Sequence, residues 1–270
     1  MTGYDESDYS HVPKVLIFDI ECTPFVAYSW GPKYQVNLID FIEPWHLLSV
    51  AWRWYGTDHK TEVVSQRQFA DYEDDRTNDF HVTQKMWELL DEADIVIAHN
   101  GDKFDVKKVQ ARFAIHGMKR PSPFRSIDTL KVARRSFNFG SNSLNDLGAF
   151  LGLGQKLQHT GFELWIGCMA GKADDWQMME DYNIQDVVLL EQLYERFKID
   201  GWILTHPDMA LLSGQNNGCP YCASIERVKN GFYVSTAYRY QRWICKNDHC
   251  NGHYRSSMAE AGSRSTYRRI

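Results

Sequence analysis

Apolar positions along this chain follow two different periods, and the change from one to the other outlines its elements. Residues 14–22 hold the run Val15-Leu16-Ile17-Phe18 followed by Asp19-Ile20-Glu21, which predicts a buried strand. Residues 47–55 and 61–65 predict two more strands, with Gly56-Thr57-Asp58 as the turn between them. Residues 81–93 then switch to helical spacing, with Val82, Met86, Leu89 and Leu90 on one face. A short apolar strand follows at 95–98, and a helix over 104–116 is stopped by Gly117 and Pro121. Ser126-Ile127-Asp128 predicts a fifth strand. Beyond it the pattern is helical at 129–137 and 143–151. It is helical again over 174–198, as one bent helix or two, where Val187, Leu190, Leu193, Tyr194 and Phe197 share a side. Residues 23–46 show neither period and are expected to be irregular, an insertion or lid packed over the sheet. Three strands, then helix–strand–helix–strand, then helices describes an α/β fold with a mixed five-stranded sheet flanked by helices.

Length and composition add boundaries. A chain of 270 residues has room for one large domain and a small one. Residues 1–13 are polar and expected to be a flexible N-terminus, 14–210 the large domain, 215–256 a small module and 257–270 a basic tail. No apolar stretch reaches the ~20 residues of a membrane span. The start of the chain lacks the basic and apolar regions of a signal peptide, so an intracellular, cytoplasmic protein is expected. Charge is uneven. From Cys219 onward nine Lys/Arg face three Asp/Glu, a net of +6, while the remainder carries −11. That asymmetry points to a nucleic-acid-facing tail on an acidic body.

The candidate chemistry lies in three short segments. Asp19 and Glu21 stand two apart in an apolar strand and therefore share a face. Two buried carboxylates on one face need compensating charge, which a pair of divalent cations supplies. Asn100-Gly101-Asp102-Lys103-Phe104-Asp105 follows the fourth strand, and Tyr182 and Asp186 are four apart on one helix face. Taken in order, these segments resemble the DEDD 3′→5′ exonucleases of the RNase H-like, DnaQ-like superfamily, which include polymerase proofreading domains. The resemblance spans about residues 14 to 200. It is carried by Asp19/Glu21, Asn100/Phe104/Asp105 and Tyr182/Asp186. The family divides on the last motif, and Tyr182, four before Asp186, is similar to the tyrosine branch. Residues 127–130 and 161–165 are also similar to bacteriophage-encoded members.

The resemblance implies an RNase H-like fold and two-metal hydrolysis of phosphodiester bonds. Hard oxygen ligands select Mg2+ or Mn2+. By resemblance, Asp19 bridges two ions, Glu21 and Asp186 hold the one beside the attacking water, and Asp105 holds the other. Tyr182 orients the water. Asn100 and Phe104 are the expected strand contacts. Lys103, Lys107, Lys108 and Arg112 are expected to form a solvated helix face. Asp102 reads as a turn carboxylate, Asp128 as a helix N-cap, and His99 and His159 as structural histidines.

The tail carries a second metal pattern. Cys219-x2-Cys222 and Cys245-x4-Cys250 are separated by 22 residues. Paired cysteines in a chain without a secretion signal favour one structural Zn2+ over disulfides. His249 or His253 stands as an alternative ligand. The segment 231–244 alternates like a β-hairpin, so this module resembles a zinc ribbon. Arg239, Tyr240, Arg242 and Trp243 interleave bases with aromatics, as single-strand binders do.

The expected activity is 3′→5′ exonuclease hydrolysis at single-stranded DNA 3′ ends, with a polymerase or other replication protein as partner in trans. Two alternatives stand beside it. One is an exoribonuclease of the same superfamily, since the motifs do not read the 2′-OH. The other is a nucleic-acid-binding accessory protein of replication or recombination with residual nuclease activity.

Overall fold

The computed structural model describes residues 12–31, 38–248, 250 and 252–265. Several expectations fall outside them: the flexible start over residues 1–11, residues 32–37 of the lid, His249 as a ligand, and the end of the basic tail.

The main sheet has five strands. They are β1 (Val15–Cys22), β4 (Leu47–Trp54), β5 (Glu62–Ser65), β6 (Ile95–Ala98) and β7 (Arg125–Asp128), arranged β5-β4-β1-β6-β7. β4 runs antiparallel to β1, while β6 and β7 run parallel to it, so the sheet is mixed as expected. Strand parity divides β1. Leu16, Phe18 and Ile20 enter a core with Val82, Met86, Leu89 and Leu90 of helix α1 (Phe80–Glu92) and Val109 and Phe113 of helix α2 (Asp105–Ile115). Asp19 and Glu21 lie on the opposite face with Val15 and Ile17. The β1–β4 register pairs Asp19 with Ala51 and Glu21 with Ser49, then shifts between Glu21 and Cys22.

Two features differ from expectation, and one open alternative is decided. The described residues between 23 and 46 are not irregular throughout. They contain an antiparallel hairpin of β2 (Val26–Ser29) and β3 (Leu38–Glu43). Its apolar side chains are not packed over the sheet either, since Tyr28, Leu38, Ile39, Phe41 and Ile42 are each about half exposed or more. The stretch Leu38-Ile39-Asp40-Phe41-Ile42 breaks strict alternation but holds the strand formers Ile39, Phe41 and Ile42, and it pairs with β2. Residues 174–198 belong to one continuous helix, α6 (Ala173–Ile199). Between β7 and α6 stand α3 (Thr129–Ser136), α4 (Leu144–Phe150) and the short α5 (Glu163–Met169), the last of which had no periodic signal.

The chain divides into two compact units, one of them Lys14–Tyr194. The other, largely Glu195 onward, contains α7 (Met209–Leu212) and a three-stranded antiparallel sheet. Its strands are β8 (Arg227–Val234), β9 (Arg239–Cys245) and β10 (His253–Arg255), with β9 central. Among the described residues no helix is long and apolar enough to cross a membrane.

Candidate active site

The parallel neighbour of β1 ends early. β6 pairs with Val15 to Ile17 and stops at Ala98, leaving the far half of β1 open on that side. The chain turns back there through Asn100, whose φ of 68° places it in the left-handed region that Asn tolerates and most residues avoid. Its N–H donates to Asp128 Oδ1 at 3.0 Å. Gly101 follows because a Cβ there would overlap the Ala98 side chain. Helix α2 then starts at Asp105, which is 3% exposed. Its carboxylate accepts from its own N–H and from the Ile20 N–H of β1. A break in the sheet thus delivers the third carboxylate to the strand that carries the first two.

The fourth comes from α6. Asp186 offers an oxygen that lies, with one each from Asp19 and Glu21, in a group whose members are all within 4.8 Å of one another. Asp105 stands beside this trio and raises the Asp19 carboxyl electrostatically. The electrostatics are those of crowded acids. Burial, then Asp105, Asp186 and Glu21, hold Asp19 well above the carboxylate range. Burial, then Asp186, pushes Glu21 to about 8, although the Trp165 side chain hydrogen-bonds it. Burial raises Asp105 to about 7. Asp186 is raised by burial against the pull of Lys156.

Side chains around the trio fix its geometry. Asn183 is fully buried; its Nδ2 donates to Asp19 Oδ2 at 2.8 Å, and Ser49 Oγ donates to Asn183 Oδ1 at 2.9 Å. Lys156 pairs with Asp186 and donates from Nζ to the Tyr182 hydroxyl at 2.9 Å. Burial works against its charge, but Asp186, Asp19 and Tyr182 outweigh it and raise the ammonium's pKa. Burial, then the Asp186 charge, pushes Tyr182 to about 12. His159 and Trp165 meet the Tyr182 ring edge-on, at 4.8 and 6.3 Å between centroids.

Sequence reasoning missed Lys156, Asn183, Ser49 and Trp165, and took His159 as structural. Two expectations about lysines and arginines need correction. Lys108 lies 3.8 Å from the Trp45 ring centroid and 5.2 Å from that of Phe104. Arg112 is buried and paired with Asp79 at 2.5 Å. Neither is a solvated helix-face charge, because aromatic rings and a buried acid stand where solvent was expected; Lys103 and Lys107 are exposed. Phe104 is 40% exposed beside Asp105. The remaining polar residues behave as read. Asp128 caps α3 by accepting from Leu130 and Lys131 N–H. Asp102 pairs with Lys131 and accepts from Ser126. His99 bonds Thr129 Oγ1 and the Asn142 carbonyl, both at 2.9 Å. The Cys22 thiol is pushed up to about 12 by burial, against any nucleophilic role.

In the other unit, Cys219, Cys222, Cys245 and Cys250 bring their sulfurs within 4.8 Å of one another. Cys219 and Cys250 are 3.8 Å apart, and Cys222 and Cys245 3.6 Å. A tetrahedral ion with bonds of about 2.3 Å to sulfur sets its ligands about 3.8 Å apart, so four thiolates around Zn2+ fit this cluster. His253 lies on β10, away from the quartet. Arg239 and Trp243 point to the side of β9 that carries Cys245, while Tyr240 and Arg242 point to the other. The four expected nucleic-acid contacts therefore do not form one surface.

Residues 47–198, more than half of the chain, match the RNase_H_2 family model, described as the RNase_H superfamily. The match includes Asp105, Tyr182 and Asp186 and begins after β1. No curated protein matches the chain in sequence. Among solved structures, the family B DNA polymerase from the hyperthermophilic archaeon Pyrobaculum calidifontis is similar with a TM-score of 0.51 at 13% identity. That likeness is one of fold; it covers 84% of this chain and 32% of the polymerase, so the chain spans about a third of that protein. With the mixed five-stranded sheet and its flanking helices, the family match gives one assignment: the chain belongs to the RNase H superfamily.

Proposed function

We propose that the chain is a metal-dependent 3′→5′ exonuclease of the tyrosine branch, hydrolysing phosphodiester bonds at single-stranded DNA 3′ ends. The observation that carries this reading is the convergence of Asp19, Glu21 and Asp186 within 4.8 Å, with Asp105 beside them. Acids crowded like this raise one another's pKa, a cost that bound cations would relieve. Two further features support divalent ions here. Asp186 Oδ1 is buried without a hydrogen-bond partner, and the donors are all hard oxygens, which suit Mg2+ or Mn2+. Asp19, Glu21 and Asp186 would hold one ion, and Asp19 with Asp105 the other. When bound, such ions stabilise negative charge developing on the phosphate oxygens.

The chain's own residues supply the rest. Tyr182, with its hydroxyl far above neutral, stays protonated and orients the attacking water by hydrogen bonding rather than taking its proton. Lys156 fixes that hydroxyl and adds a positive charge near the scissile phosphate. Phe104 offers a partly exposed ring for the terminal base, and Asn100 a polar contact beside it. DNA as the polymer is supported by the fold likeness to a DNA polymerase; a polymerase or other replication protein is the corresponding partner in trans. The nuclease domain occupies residues 14–210, followed by a zinc ribbon over 215–256 and a basic tail over 257–270. The bacteriophage likeness of residues 127–130 and 161–165 stands with this reading.

The test is hydrolysis of a single-stranded DNA labelled at either end, with Mg2+ or Mn2+. Nucleotides should be released from the 3′ end, and Asp19→Ala and Asp186→Asn should each abolish release while circular dichroism stays unchanged. Full activity in either variant overturns the assignment.

A further inference from the structure

The three-stranded sheet of the second unit has two chemically different faces. Along β9, Arg239, Gln241, Trp243 and Cys245 share the thiol side, and Tyr240, Arg242 and Ile244 share the other. Strand register extends this division. Tyr233 on β8 is opposite Tyr240, and Arg255 on β10 is opposite Arg242.

On the thiol side the two arginines are already engaged, while Lys229 is exposed. Arg239 pairs with Glu260 at 2.7 Å and lies 4.5 Å from the Phe232 centroid. Arg227 covers Trp243 at 4.6 Å, and the Trp243 ring nitrogen donates to Ser256 Oγ at 3.1 Å. The opposite face is open. Tyr233 is 47% exposed, and Arg242 and Arg255 are exposed. The guanidinium of Arg255 lies 4.4 Å from the Tyr240 centroid and 5.1 Å from that of Tyr233, and the two rings are 6.0 Å apart. Its Nη1 also donates to the Ser256 carbonyl at 3.0 Å. A flat cation is thus held over two tyrosines. No carboxylate alternates onto this face from any of the three strands.

We propose that this open face binds single-stranded DNA, with a base stacked on the Arg255 plane that Tyr233 and Tyr240 support, and a phosphate on Arg242. Guanidinium planes stack bases much as aromatic rings do. Such a platform suits an unpaired strand, whose bases are free to splay onto it. Two arginines on a face to which the three strands contribute no acid complement a polyanion and repel a polycation. The proposal takes the polymer from the exonuclease reading and adds a second attachment point, in the unit that carries no acidic site.

Binding is measured on the full chain carrying Asp19→Ala, so that the strand survives, by anisotropy of a labelled 15-nucleotide oligo-dT. Arg255→Lys keeps the charge and loses the plane. It should weaken binding roughly tenfold and leave the salt dependence unchanged. Arg242→Ala should lower the slope of log affinity against log salt by about 0.7. Arg239→Ala, on the thiol side, should bind like its parent, and a duplex of the same length should bind more weakly. Parental binding by Arg255→Lys, equal loss in Arg239→Ala, or equal affinity for duplex would each overturn the platform. Tighter binding of the matching RNA strand would overturn DNA as its ligand. Hydrolysis by the chain with Asp19 intact is scored separately. An inactive chain whose platform variants still lose binding removes the exonuclease reading and keeps the platform; an active chain with indifferent variants does the reverse.

Discussion

Lys156 ties Tyr182 to Asp186: its ammonium donates to the tyrosine hydroxyl at 2.9 Å and pairs with the carboxylate one helical turn further along α6. One side chain from a loop therefore fixes two α6 residues proposed to act on the same water. Replacing Lys156 with Met should release the Tyr182 hydroxyl and leave Asp186 without its cation. Turnover on single-stranded DNA should fall roughly a hundredfold, the low end of what a positioned proton-transfer group contributes, with substrate affinity little changed. Lys156→Arg keeps the charge but not the point geometry, and should recover only part of the loss. Tyr182→Phe should fall into the same range. If Lys156→Met turns over at the parental rate, the hydroxyl is not being positioned by it.

Crowding of the acids sets a pH dependence. Glu21 titrates near 8 and Asp105 near 7 in the fold, with Asp19 and Asp186 also raised, against ordinary values near 4 for free carboxyls. In that window the folded chain holds more protons than the unfolded one. Its stability without Mg2+ should therefore fall as pH rises from about pH 4 through the Asp105 and Glu21 values near 7 and 8. Divalent ions bind the ionised form, so the gain in melting temperature on adding Mg2+ should grow over the same range. Thermal unfolding at pH 6 and pH 9, with and without Mg2+, checks the sign. Glu21→Gln should flatten both trends, and a Mg2+ effect that shrinks towards pH 9 would contradict the argument.

Asn183 is the only described side chain shown to hydrogen-bond the Asp19 carboxylate, and Ser49 fixes which way its amide points. With Ser49 donating to Oδ1, the Nδ2 group must face Asp19. Asn183→Ala leaves both neighbours short of a partner inside the protein, at a cost of about 1–3 kcal/mol. Asp19 would then no longer be held in place, so the Mg2+ concentration for half-maximal activity should rise several-fold. Asn183→Asp places a fifth acid against the group and should be worse than alanine on both counts. Magnesium titrations of activity, run beside melting curves, separate the two effects. Parental Mg2+ dependence in a destabilised Asn183→Ala would reduce the residue to a packing role.

Most of the sheet was legible in the sequence because β1, β4 and β6 are largely apolar runs, whereas β7 has only Ile127 as an apolar residue. Val15 to Phe18 and Ile95 to Ala98 need no tertiary information to be read as strands. Asp19, Glu21, Asp105, Tyr182 and Asp186 stood out as a set because their order and spacing resemble a family's motifs, and the fold brings Asp19, Glu21 and Asp186 together. Lys156 was not. It sits in a glycine-punctuated segment with no period, and its partners lie 26 and 30 residues away on α6. Asn183 follows Tyr182 directly on α6, but its role depends on Ser49, which β4 supplies. The hairpin of β2 and β3 escaped because both strands face solvent, and an element without a buried face leaves no alternation to read.

The four-thiol cluster makes the last prediction. The C-terminal sheet presents mostly exposed side chains, and the buried group around Cys219, Cys245 and Cys250 is small, with Tyr221, Cys222 and Tyr254 packed on it. So little apolar burial cannot by itself offset the entropy of ordering the strands, so the proposed Zn2+ should carry most of this unit's stability. The purified chain should release one equivalent of zinc when its thiols are titrated with a mercurial. Cys219→Ser with Cys222→Ser should abolish that release and expose β8 and β9 to limited proteolysis. The same double variant should leave hydrogen exchange over β1, β4 and β6 slow, since none of those strands draws on the cluster. Slow exchange and protease resistance persisting across β8 and β9 in the zinc-free variant would show that the sheet stands without metal.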